Sequence, residues 1–219
     1  MSSGDLELRV AWERHVGTGE VSGGWYESVI ARHHEAHRHY HDVRHVRWVV
    51  RHVGELAAAR DGDQVADLGA VVVAAFFHDV VYDPTASDNE VASATLAARA
   101  LAELDWPTAR VARVVAMIEG TAHHRVDTVD GEPITLDTAV LYAADLGVLA
   151  ADPAGYADYV RNVRREYGHV DDADWSAGRT AVLRSFLERR AIYAPELGLD
   201  AWERRARANL AAELDTLGR

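Results

Sequence analysis

Apolar positions along the chain recur at helical intervals, and no stretch shows the strict alternation of a half-buried strand. Leu6 to His15 reads as an amphipathic helix with Leu6, Val10 and Trp12 inward. Gly17, Gly19, Gly23 and Gly24 then break the pattern before a short helix from Trp25 to Ala31. A long helix is expected from about His37 to Ala59, its core stripe marked by Val46, Val49, Val50, Val53 and Leu56, and Arg60-Asp61-Gly62 ends it. Val65 to Phe77 is different: from Leu68 onward nearly every residue is apolar, which predicts a helix buried on all sides.

Asp83-Pro84 stops whatever follows that run, since proline cannot continue a helix. Ser87-Asp88-Asn89-Glu90 has the order of a capping box and starts a helix through Leu104. Pro107 suits the first turn of the next helix, to about Glu119. Thr121-Ala122-His123-His124 and a polar loop holding Asp130-Gly131-Glu132-Pro133 follow. Leu136 to Ala151 is again apolar, and Asp152-Pro153 caps and opens its successor. The last helices are expected from Asp174 to Tyr193 and from Leu197 to Leu217. No repeat, low-complexity tract or linker divides the chain, so residues 1–219 read as one all-α domain.

Composition narrows the functional classes. The chain has 219 residues, 48% hydrophobic and 26% charged, as in a soluble globular protein. A formal net charge of −12 argues against general nucleic-acid binding. Cysteine is absent, which removes disulfides, thiolate zinc sites and cysteine nucleophiles and suits the cytoplasm. The first residues show neither the basic nor the apolar region of a secretory leader, and no uncharged apolar stretch reaches membrane-spanning length.

Chemistry enters where charge interrupts the apolar runs. His78-Asp79 ends the buried helix, and Asp145 interrupts a second apolar run. A carboxylate or imidazole in such a place is costly unless a partner charge or a metal compensates. Seven of the twelve histidines fall between His33 and His52. His41 and His45 are four apart and so share a helix face, with Arg38 on that same face. His33, His34, His37 and His39 share none and read as solvated or capping. The Arg32, Arg44, Arg47 and Arg51 series reads as a solvated face. His45, His78, Asp79 and Asp145 together give two imidazoles and two carboxylates, a set suited to a divalent ion with room left for water. Three readings of His123 and His124 stay open: the site mouth, ligands of a second ion, or a solvent-facing pair at a helix end.

Tyr40-His41-x-x-x-His45, His78-Asp79, Thr121-x-His123-His124 and Asp145-Leu146, in that order, resemble the HD-domain superfamily of metal-dependent phosphohydrolases. The likeness is greatest to a bacterial group of predicted HD-superfamily phosphohydrolases. It extends to Arg38-His39-Tyr40-His41, Tyr82-Asp83-Pro84, Asp88-Asn89-Glu90, Tyr156, Arg164-Arg165-Glu166-Tyr167, Gly178-Arg179 and Ala206-Arg207-Ala208-Asn209-Leu210. One departure is visible: the group usually has Asn after the first histidine, where this chain has Asp42.

The resemblance implies a helical bundle around a central metal held by His45, His78, Asp79 and Asp145. It implies His41 as a general acid, matching the histidine with that role in related cyclic-nucleotide phosphodiesterases. The expected reaction is hydrolysis of a phosphate ester on a nucleotide or similar small metabolite. One divalent ion (manganese, iron, cobalt, nickel, zinc or magnesium) is expected, with any second held weakly. Asp79 would also orient the attacking water, Arg38 would contact phosphate in a bidentate fashion, and His123 or His124 would contact it too. A di-iron oxygenase of the same superfamily and a non-catalytic nucleotide- or metal-binding module are the alternatives.

Overall fold

The computed structural model describes residues 3–59, 65–126, 128–129 and 132–218, with side chains for 4–59, 65–126 and 134–218. Arg60-Asp61-Gly62 and Asp130-Gly131 lie outside the described residues. The structure is all-helical, as expected: ten α-helices are described, and the only strands among the described residues are a two-residue pair, Thr128–Val129 against Glu132–Pro133. No described helix is long and apolar enough to cross a membrane. The chain groups into two compact units, Met1–Asp145 and Leu146–Arg219.

The first unit holds α1 (Ser3–His15), α2 (Glu20–His33), α3 (Val43–Ala58), α4 (Leu68–Phe77), α5 (Asn89–Glu103), α6 (Thr108–Gly120) and α7 (Leu136–Asp145). Helix α4 is buried from Ala70 to Phe77 and packs against α1, α3, α5, α6 and α7, which explains its uniform sequence. Its N-cap Asp67 accepts from the Ala70 amide at 3.0 Å and is held by Arg110. The stripe Val46, Val49, Val50, Val53 and Leu56 is buried on α3 as predicted. Asp137, in the first turn of α7, accepts from the amides of Ala66 and Asp67, at 2.8 and 3.0 Å. The starts of α4 and α7 are thereby joined, and their far ends carry His78-Asp79 and Asp145.

Several boundaries differ from the sequence expectation. In α1 the buried pair is Leu8 and Trp12, while Leu6 and Val10 are exposed. Trp12 sets this register, donating to the Ser22 hydroxyl at 2.9 Å and packing edge-on against Phe76. Only Gly17 and Gly19, both at positive φ, break the chain; Gly23 and Gly24 lie inside α2, where the buried side chains of Tyr26, Val29 and His33 outweigh weak glycine propensity. The expected capping box does not form: Asp88 is the N-cap without a side-chain bond, and Asn89 instead pairs with the backbone of Asp83. Pro107 sits at the N-cap of α6 rather than in its first turn.

The second unit begins with a 3₁₀ turn, Leu146–Ala150, where one continuous helix to Ala151 was expected. Then come α8 (Pro153–Glu166), capped by Asp152 as expected, α9 (Asp172–Leu187) and α10 (Asp200–Leu217). Helix α9 starts earlier than Asp174 because Asp171 caps it, accepting from the Ala173 and Asp174 amides. Helix α10 starts after Leu197 because Gly198 takes φ 64° there. The interior of this unit is polar as well as apolar. Arg179 pairs twice with Glu213, at 2.8 and 3.0 Å, and Tyr156 donates to Glu213 at 2.6 Å.

Candidate metal centre

The end of α4 builds the centre. His78 is the C-cap of that helix, and its Nδ1 lies 3.0 Å from the Ala75 carbonyl one turn back. A carbonyl can only accept, so Nδ1 is the donor here and Nε2 is the nitrogen that faces the other residues of the centre. His45, in the first turn of α3, brings its own Nε2 to 3.0 Å from His78 Nε2. Asp79 Oδ2 stands 3.1 Å from His78 Nε2 and 3.4 Å from His45 Nε2. His45, His78 and Asp79 thus offer ligand atoms all within 4.8 Å of one another, a group that could hold a metal ion.

Asp145, at the end of α7, reaches the same place. Its Oδ1 is 3.0 Å from His45 Nε2 and 3.5 Å from His78 Nε2. Nitrogen and oxygen ligands sit about 2.0–2.2 Å from a metal of the zinc type, so neighbouring ligand atoms around it stand roughly 3.0–3.5 Å apart. The spacing and donor chemistry of His45, His78 and Asp79 fit an ion, and Asp145 stands beside both imidazoles. The imidazoles are closed off, with side chains 2% and 1% exposed, while the carboxylates keep a narrow opening at 18% and 13%.

Electrostatics points the same way. Burial alone would push Asp79 and Asp145 up, but the charge of His78 and the bonds from neighbouring imidazoles hold both carboxyls well below their usual range. Burial would likewise lower His78, yet the charges of Asp79 and Asp145 hold it well above the usual imidazole value. Both carboxyls are thus held in the ionised form that a metal ligand requires.

The loop before α3 corrects the expected His41–His45 face. Helix α3 begins at Val43, so Arg38 and His41 lie outside it. Asp42, whose presence in place of Asn marked the departure from the resembled group, is the N-cap, accepting from the Arg44 amide at 2.8 Å. Aspartate and asparagine cap about equally well. The His41 carbonyl, which a continued helix would have bonded to its own backbone, instead accepts from Arg38 Nη1 at 3.0 Å. His41 still borders the centre: its ring lies 5.7 Å from that of His45 and 4.3 Å from that of Tyr82.

Arg38 is also not where a phosphate ligand would lie. Its side chain is 0% exposed, and its guanidinium donates to the carbonyls of His41, Asp79 and Val80 and to Glu35.

Downstream, the structure separates His123 from His124. His123 is exposed, whereas His124 takes φ 45° after the end of α6 and brings Nε2 to 2.7 Å from Asp145 Oδ2. Its ring meets the Tyr142 ring edge-on at 5.1 Å. Sequence reasoning missed His33, which is fully buried rather than solvated and pushed down to about 3, chiefly by burial and then by the Arg38 charge. The neutral ring donates from Nε2 to the Phe76 carbonyl at 3.2 Å. The signal was present in the stripe Tyr26, Val29, His33 at helical spacing. Comparison of the chain with family models, with curated proteins and with solved structures found no match.

Proposed function

We propose that the centre is the site of a metal-dependent phosphohydrolase of HD-domain type, acting on a phosphate ester of a nucleotide or similar small metabolite. The observation that carries this reading is the convergence of His45 Nε2, His78 Nε2, Asp79 Oδ2 and Asp145 Oδ1 at metal-ligand spacing, with His41 bordering them. These four residues would hold one divalent ion. When bound, the ion acidifies a water molecule toward neutral pH and polarises a phosphoryl oxygen.

The protein's own groups do the rest. Asp79 orients the attacking water, and His41 protonates the departing oxygen as a general acid. His124 donates to Asp145 Oδ2, which leaves Oδ1 to face the two imidazoles. This reading takes one ion, held by His45, His78 and Asp79 with Asp145 beside the two imidazoles, and His123 is exposed. A di-iron oxygenase would need further histidine ligands, for which only His123 and His124 stand between Asp79 and Asp145 in the sequence.

The test is metal analysis of the purified protein combined with turnover of phosphorylated substrates by wild type and His41→Ala. His41→Ala should retain its metal and lose about 10²–10⁴ in rate on an alkyl phosphate ester. On 4-nitrophenyl phosphate, whose leaving group needs little protonation, the loss should be much smaller. Two tight irons per chain with oxygen consumption would overturn the hydrolase.

A further inference from the structure

Two short segments flank the centre without belonging to any helix. One, residues 34–42, carries His41; the other, the turn after α4, carries Asp79 and Val80. The first is shaped by local turn bonds such as Asp42 N to the Tyr40 carbonyl at 2.8 Å, and its exposed His37 ring bonds the Tyr82 carbonyl at 2.9 Å. In the interior, one buried guanidinium ties the two segments together. Arg38 donates to the His41 carbonyl at 3.0 Å on its own segment, and to the Asp79 and Val80 carbonyls at 2.6 and 3.1 Å on the other. Glu35 orients the group through Nε at 3.1 Å, and the guanidinium lies 5.5 Å from the Tyr82 ring, which itself packs on His41.

The planar fork of arginine is what allows this: several fixed donors reach acceptors on two strands of chain at once. Lysine would keep the charge but could not span both segments. Charge-assisted bonds to buried carbonyls are also among the stronger ones available to a protein.

We propose that Arg38 is a positioning residue, which fixes the loop carrying the general acid His41 against the turn carrying the metal ligand Asp79. It acts through backbone, touching neither metal nor substrate. The proposal rests on the reading of His41 as the acid. It also accounts for an arginine three residues before that histidine without any contact to phosphate. Because three of the ion's residues, His45, His78 and Asp145, sit on or cap helices, Arg38 governs the placement of the acid more than retention of the metal.

The experiment is a double-mutant cycle in the full chain with Arg38→Lys, His41→Ala and the double variant. Metal content, thermal midpoint, and kcat and KM on an alkyl phosphate ester and on 4-nitrophenyl phosphate are measured for each. Arg38→Lys should keep its metal and lose about 10²-fold in kcat on the alkyl ester, with KM little changed and a much smaller loss on the nitrophenyl ester. Adding it to His41→Ala should cost no more than about twofold further. Losses that multiply in the double variant, or metal lost in proportion to activity, would overturn the proposal. If Arg38→Lys does not fold, Glu35→Ala removes the carboxylate that orients the guanidinium and is put through the same cycle. A His41→Ala variant indifferent to leaving group would sink the acid assignment, while coupling between the two residues is still read from the same cycle.

Discussion

Nε2 of His45 and Nε2 of His78 face each other across 3.0 Å, while Nδ1 of His78 donates to the Ala75 carbonyl. Asp79 Oδ2 stands 3.4 and 3.1 Å from these two nitrogens, and the three residues form the group that could hold a metal ion. Asp79→Ala should therefore purify without metal and without phosphatase activity. Removing one charge from a buried set costs about 3–5 kcal/mol, so the variant should also melt well below wild type, and chelator should lower the wild-type midpoint toward it. Inductively coupled plasma analysis and thermal melts check both. Unchanged metal content in Asp79→Ala would mean the centre is misassigned.

His124 reaches the centre through Asp145, whose Oδ2 lies 2.7 Å from its Nε2. Groups in that position commonly contribute about 10–100-fold to metal affinity. His124→Ala should weaken binding by that factor, measured by competition with a chelator of known affinity, while His123→Ala should leave it unchanged. Equal effects of the two substitutions would contradict the separation of the pair seen here.

Gly120 closes α6 against the hydroxyl of Tyr142, so that a Cβ on residue 120 would collide with it. In an open helix, Gly→Ala would stabilise; here it should destabilise by about 1–3 kcal/mol, as overpacking does. Tyr142→Phe removes the obstructing oxygen and should recover most of the loss in the double variant. Urea denaturation of the four proteins gives the answer.

His33 predicts a pH effect. Its folded value, about 3, lies below the ordinary imidazole value of 6.5, so below pH 6.5 the unfolded chain binds a proton that the folded chain refuses. Stability is thus lost as pH falls from 6.5 toward 3, by up to about 1.4 kcal/mol per pH unit from this residue. His33→Gln should be less stable at pH 7, where it lacks the fitted ring. Its stability should fall less steeply with acid, by about one proton in slope. An unchanged slope would place the acid sensitivity elsewhere.

How far the chain could be read depended on what each residue had to satisfy. His78, Asp79 and Asp145 were legible because each breaks an apolar run that must be buried, and the structure brings them together with His45, which is singled out by its spacing of four from His41. The helical face shared by His41 and His45 was not, because spacing of four fits a helix equally well whether or not a cap intervenes. Asp42 ends the helix between them by accepting from the Arg44 amide. Arg38 looked like a phosphate contact because no sequence pattern reveals that three backbone carbonyls from two segments will converge on one guanidinium. His33 was discounted among its neighbours for a related reason: its partner, the Phe76 carbonyl, lies 43 residues away.

The bonds from the Ala66 and Asp67 amides to Asp137 give α4 and α7 a common origin. From that origin each helix counts out its residues at about 1.5 Å and 100° apiece to the tip that bears its share of the centre. Adding or deleting one residue within either helix would swing its acidic or imidazole tip about a quarter-turn away. The two helices are therefore fixed in number of residues by the 3.5 Å at which His78 Nε2 and Asp145 Oδ1 meet at their tips.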